Sequence, residues 1–252
     1  MLNMVEMRFN LPALIRFVGD HLPRAHRLGA AADAGYLAKV ALSTAFGTVP
    51  KPFRVLPLPK GSPVMTVLFY AAHPAEHWRD LLAITAPPSL LAALDPADIR
   101  SKTMPERYPA PPFQLDVLFA PTVQFSAAKD TLGRGKAFEL PAFEADRRAW
   151  LAANPGAAAG DYPGAVQDSN LAFLLRKMPE GFTLDSYDEL RSEVVPLPRP
   201  DHAGGIVRPT VPVVSARCLI RITDPAAFNA ALARGVGRHR AYGLGMAMLR
   251  AA

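Results

Sequence analysis

The chain has 252 residues, 50% hydrophobic and 20% charged, which is apolar material for one large core or two small ones; two small domains are expected. Lys+Arg 28 against Asp+Glu 22 gives a formal net charge of +6, a balance that favours a polyanionic partner through counterion release. Cys218 is the single cysteine, which excludes an intrachain disulfide and a cysteine-based zinc site, and His73, His77 and His202 share no metal-ligand spacing, so neither metal nor cofactor is expected.

Glu6, Arg8 and Pro12 interrupt any N-terminal signal pattern, and no uncharged run approaches the roughly 20 residues of a membrane span. A soluble, cytoplasmic chain with no membrane partner is expected. Met4 to Leu11 alternates apolar Val5, Met7 and Phe9 with polar Glu6, Arg8 and Asn10, the period of a half-buried strand. A basic segment without a clear period follows, holding His21, Arg24, His26 and Arg27. Asp33 then caps a helix with Tyr36, Leu37, Val40, Ala41 and Phe46 at helical spacing and Gly47 at its end.

Phe53 to Leu58 and Val64 to Tyr70 read as a hairpin around Pro59-Lys60-Gly61-Ser62-Pro63, Pro74 opens a helix with Trp78, Leu81 and Leu82, and Ile99 to Met104 reads as a strand. This β-α-β-β-α-β order is ferredoxin-like, an arrangement that RNA-recognition domains also use. Pro109-Ala110-Pro111-Pro112 interrupts the pattern, which divides the chain into residues 1–108, a linker 109–112 and residues 113–252.

Alternation resumes over Phe113 to Phe125, followed by Lys129, Arg134 and Lys136 in a loop, a helix around Phe143 to Ala153 exposing Arg147 and Arg148, and a Gly/Ala/Pro-rich tip from Asn154 to Gly164. A helix through Leu171 to Met178 carries Arg176 and Lys177. The two helices and their tip exceed what a minimal domain needs and are expected to form an inserted helical hairpin with a basic face. Phe182 to Pro198 is extended, Ile206 to Val213 and Val214 to Ile222 read as two strands, Asp224 caps a helix from Pro225 to Arg234, and Tyr242 to Leu249 reads as the last strand. The expected class is α+β: tandem ferredoxin-like domains with an inserted helical segment in the second.

Between that last helix and strand lies Gly235-Val236-Gly237-Arg238-His239-Arg240-Ala241-Tyr242-Gly243-Leu244-Gly245. Its spacing fits neither the dinucleotide fingerprint, which wants a glycine at Arg240, nor the phosphate loop of ATPases. Glycines admit a close ligand and arginines donate to phosphate, so the loop suits a polyanionic backbone.

Asp224-Pro225-Ala226-Ala227-Phe228, Leu232-Ala233-Arg234 and the glycine-rich loop with its final apolar strand resemble the C-terminus of the CRISPR precursor-RNA processing endoribonucleases. These belong to the repeat-associated RNA-binding superfamily, and the likeness is closest to type I-E and type IV members. Gly35 to Gly47 resembles that family's first helix, with Lys39 where type I-E members carry a catalytic histidine three residues after a tyrosine, here Tyr36.

The resemblance implies a chain that grips the repeat hairpin of precursor CRISPR RNA, cuts it without metal and stays with the mature guide among other subunits of a CRISPR effector complex. Lys39, Arg24, His26 and Tyr36 are the implied catalytic set. Lys39 and Arg24 would stabilise charge on the scissile phosphate, and His26 would carry protons, since histidine is the side chain suited to that role near neutral pH. Gly235, Gly237, Arg238, His239, Arg240, Tyr242 and Gly243 of the loop, with Arg27, Arg134, Lys136, Arg147, Arg148, Arg176 and Lys177, form the expected RNA-binding set. A non-catalytic RNA-binding subunit, or an unrelated basic ferredoxin-like module, are the alternatives.

Overall fold

The computed structural model describes residues 1–21, 33–109, 112–129, 135–139, 148–149, 151–156, 170–178, 180–200 and 206–252, with 122–129, 135–139, 199–200 and 206–207 described by backbone alone. The expected residues Arg24, His26, Arg27, Arg134 and Arg147, and the turn containing His202, lie outside them. The first half runs β1 (Asn3–Asn10), α1 (Leu11–His21), α2 (Ala34–Phe46), β2 (Phe53–Val55), β3 (Val64–Ala71), α3 (Ala75–Thr85), α4 (Pro88–Leu91) and β4 (Ile99–Thr103). Its four strands form an antiparallel sheet in the order β2-β3-β1-β4, the ferredoxin arrangement.

Alternation in β1 works as expected: Val5, Met7 and Phe9 are buried in the first core. The segment after it does not. Leu11–His21 is a helix, because the Asn10 side chain accepts the backbone N–H of Ala13 at 3.0 Å and Ala13, Leu14, Phe17 and Val18 repeat at helical spacing toward the core. Asn10 before Pro12 was the signal that the basic residues further on obscured.

The second half runs β5 (Phe113–Phe119), β6 (Thr122–Lys129), β7 (Gly135–Glu139), α5 (Asn170–Lys177), β8 (Phe182–Pro196), β9 (Arg199–Pro200), β10 (Ile206–Val207), β11 (Thr210–Ile222), α6 (Pro225–Arg234) and β12 (Ala247–Ala251). Sheet order β12-β5-β11-β8, again antiparallel, repeats the ferredoxin arrangement, so the fold is tandem ferredoxin-like.

Three local expectations change. The two strands read across residues 206–222 are a short β10 and a single long β11; Pro212 is tolerated inside β11 because β5 pairs with it only from Val214 onward. The last strand begins at Ala247 rather than Tyr242, since Gly243 and Gly245 at φ 86° and 80° cannot continue an extended chain. Finally, α5 is the second domain's own crossover helix, its Phe173 and Leu174 in the second core, so it is not half of an inserted hairpin. The described part of the insertion is the β6–β7 hairpin, with helical backbone at 148–149 and 151–153.

The halves share β3. Met65, Val67 and Phe69 pack into the first core, while Leu68 and Tyr70, on the opposite face, pack into the second beside Leu115, Phe228 and Met246. The Tyr70 hydroxyl donates to the Ala247 carbonyl at 2.9 Å. The chain crosses between the sheets on a pinned segment: Tyr108 donates to the Asn229 amide oxygen at 2.6 Å, and the Asn229 amide donates to the Pro105 carbonyl at 2.9 Å.

Burial pushes the Tyr70 phenol well up and that of Tyr108 up to about 12, the Asn229 hydrogen bond opposing the latter. Their folded values exceed the unfolded tyrosine value of about 10, so their contribution to stability is complete below that pH and is lost as pH rises through the folded values. Tyr70→Phe leaves the Ala247 carbonyl short of a donor and is expected to cost about 1–3 kcal/mol at neutral pH, read by denaturant unfolding. The same series repeated above pH 10 should fall less steeply for Tyr70→Phe than for the parent.

Candidate functional site

Helix α2 starts sharply because the Asp33 carboxylate accepts the Gly35 N–H at 2.8 Å, and it stops at Gly47 in the left-handed region. Burial raises the Asp33 carboxyl above the ordinary range, with backbone hydrogen bonds from Gly35 and Tyr36 opposing. Most of the helix is packed away: Tyr36, Leu37, Ala38, Ala41, Leu42 and Ala45 are buried, and Lys39 emerges on the half-buried face.

The glycine-rich loop is folded onto the protein itself. Val236 N–H donates to the Gly245 carbonyl at 2.7 Å, Gly245 N–H donates to the Leu118 carbonyl at 2.6 Å, and Arg238 bridges Ala120 next to β5. A Cβ on Gly245 would collide with the Val236 carbonyl, so glycine is required for this closure. The Arg240 guanidinium donates to the Arg234 carbonyl, placing a cation at the C-terminal end of α6 where the helix dipole favours it.

Loop and helix meet across the two domains. The Lys39 ammonium donates to the Tyr242 hydroxyl at 2.9 Å and lies 4.2 Å from the centroid of that ring. Gly35 makes room for the approach, because a Cβ there would collide with the Tyr242 carbonyl. Gly243 is buried beside Phe53 and Gly35. It therefore shapes the seam between helix and loop. Tyr36 is 1% exposed in the first core, its phenol raised by burial and further by Tyr242, so it supports the helix from behind instead of facing a substrate.

Of the other loop residues, Arg238 is exposed, while Gly235, Gly237, His239, Arg240 and Tyr242 are half-buried. His239 takes a left-handed conformation at φ 60°, which is uncommon outside glycine, and its ring centroid lies 6.4 Å from that of Tyr242. Arg176 and Lys177 are exposed on α5 with their charges 5.6 and 5.8 Å from the Phe173 ring. That ring lies under Gly237, so α5's basic end adjoins the loop. Arg148 is exposed, and Lys136 lies in β7. The role of Gly35 escaped the sequence reading, although glycine in a first helical turn was its available sign.

What the geometry defines is a tandem ferredoxin-like protein in which a basic, glycine-shaped loop of the second domain closes on a lysine of the first. The family described as CRISPR associated protein matches residues 116–251, more than half of the chain, and the chain belongs to that family. Among solved structures, the CRISPR endoribonuclease Cse3 bound to 19 nt RNA is 18% identical with a TM-score of 0.54, covering 99% of this chain and 100% of that one. Thermus thermophilus Cse3 bound to an RNA representing a pre-cleavage complex is 17% identical with a TM-score of 0.52, covering 98% and 99%. A chain of a pre-nicking CRISPR RNA-guided surveillance complex is 12% identical with a TM-score of 0.53, covering 99% and 100%. At these identities the likeness is one of fold. No curated protein sequence matches the chain.

Gly35→Ala tests the seam. The added methyl must push Tyr242 off the helix, with an expected loss of about 1–3 kcal/mol in thermal unfolding.

Proposed function

We propose that the chain is a metal-independent endoribonuclease that binds the repeat hairpin of precursor CRISPR RNA and cuts it once. The observation that carries this reading is the 2.9 Å contact of Lys39 with Tyr242, which joins the loop to the helix in a member of a CRISPR-associated family. It is supported by the fold shared with proteins solved bound to RNA. The ribose 2′-oxygen loses its proton and bonds to the adjacent phosphorus, while the bond to the 5′-oxygen breaks and that oxygen takes up a proton. The products are a 2′,3′-cyclic phosphate and a 5′-hydroxyl.

Lys39 stabilises charge gathering on the phosphoryl oxygens, assisted by Arg24. Arg238 and Tyr242, with Arg176 and Lys177, hold the RNA backbone. Protons are carried by His26 or by His239, the histidine beside Tyr242. The chain acts in the cytoplasm, stays bound to the mature guide RNA and joins the other subunits of an effector complex.

The second reading is a non-catalytic RNA-binding subunit, favoured by the engagement of the Lys39 ammonium by Tyr242. Labelled repeat RNA incubated in chelator, beside the same RNA with one 2′-deoxy sugar at the cut site, separates the two. Cutting of the all-ribose RNA alone supports the enzyme, and binding without cutting supports the subunit.

Lys39→Ala is expected to cut about 10²-fold more slowly with hairpin affinity kept, as for loss of one oxyanion donor; cutting at the parental rate overturns its role. His239→Asn, which tolerates the left-handed backbone, should lose one limb of the pH–rate profile if His239 carries a proton, whereas an unchanged profile leaves that role to His26.

A further inference from the structure

Away from the Lys39–Tyr242 contact, three arginines converge on one aspartate. Asp116 on β5 has a side chain 12% exposed; Arg217 on β11 reaches its Oδ1 through Nε at 3.1 Å, and Arg250 on β12 approaches its Oδ2 through Nε at 3.6 Å. The Gln114 amide donates to both oxygens, at 3.1 and 3.0 Å. From the other domain, Arg54 on β2 donates through Nη1 to the Asp116 backbone carbonyl at 3.3 Å. Burial holds the Arg54 guanidinium below the ordinary arginine range, Asp116 opposing and Arg250 adding to the effect.

Elsewhere on this sheet arginines pair one to one, Arg221 with Asp185 and Arg191 with Glu193. Here two guanidiniums share one carboxylate and a third sits on the same residue's backbone carbonyl, and Asp188, opposite Arg217 in register, makes no ion pair with Arg217 among the described residues. Arg217 and Arg250 each turn the inner nitrogen, Nε, to Asp116, and their side chains remain 45% and 58% exposed. Guanidinium forks held by their inner nitrogen and open at the outer pair match two oxygens of a phosphate.

We propose that Arg217 and Arg250, backed by Arg54 and oriented by Asp116, form a phosphate-binding site for the RNA backbone on the helix-free face of the second sheet. This rests on the RNA-binding function proposed above and adds a second grip to it. The two places meet at β2 on opposite faces of the first sheet: Phe53 lies beside Gly243, the neighbour of Tyr242, and the next residue, Arg54, turns to the other face toward Asp116. Asp116 thereby has two jobs, cancelling part of the repulsion among three cations and aiming two of them outward.

The test uses the full chain and repeat RNA blocked by a 2′-deoxy sugar at the cut site, with each phosphate in turn replaced by an uncharged methylphosphonate. Arg250→Gln leaves Arg217 on Asp116, so the fold is kept, and a melting curve checks this. The parent should lose affinity at one methylphosphonate position that becomes indifferent in Arg250→Gln. The variant's own affinity should fall several-fold, and its slope of log K against log salt should decrease by roughly 0.7 for the lost contact. Unchanged affinity, slope and methylphosphonate pattern in both Arg250→Gln and Arg217→Gln would overturn the site alone. A parent that fails to bind repeat RNA overturns the functional reading and this site with it.

Discussion

The joining of the two halves depends on β3 being buried on both faces from Val67 to Tyr70. A strand in a two-layer domain ordinarily buries every second side chain, but here Val67 and Phe69 serve one core while Leu68 and Tyr70 serve the other. The near-continuous apolar run from Val64 to Tyr70 is the sequence trace of that double duty. With the sheet of the first domain acting as a wall of the second core, the domains cannot drift apart without exposing Leu68, Tyr70 and Met104. That fixed relation is what lets a loop of one domain meet a helix of the other at hydrogen-bond distance.

The regular elements were legible because their signals are local. Asp33 with Gly47, and Asp224 with Pro225, bracket or start helices by capping chemistry that operates within a few residues, and both helices stand where those residues put them. The ferredoxin order followed from the succession of elements. The helix Leu11–His21 has its only sharp local sign in the Asn10 cap, and the unity of β11 through Pro212 depends on where the neighbouring β5 stops, which no local signal carries.

The site was legible only in outline. Lys39 and Tyr242 are 203 positions apart, and no periodicity or spacing relates residues so distant; only the packing of two domains does. The resemblance supplied the loop and the helix separately, and the folded chain supplied their contact. Glycines in the loop were read as openings for a ligand, whereas Gly243 and Gly245 are buried against Phe53 and the Val236 carbonyl. A glycine's missing side chain does not say whether the space is used by a partner or by the protein. Asp116 was likewise invisible: a lone acid in an alternating strand carries no sign that three arginines will surround it.

The approach of Gly35 to the Tyr242 carbonyl sets the seam by main chain against main chain. Side chains swing among rotamers, but two backbones in contact act as a mechanical stop. Lys39 and Tyr242 are therefore mounted on parts whose separation does not depend on the side chains around them, in the manner of a jig that holds two tools at one gauge while the workpiece changes.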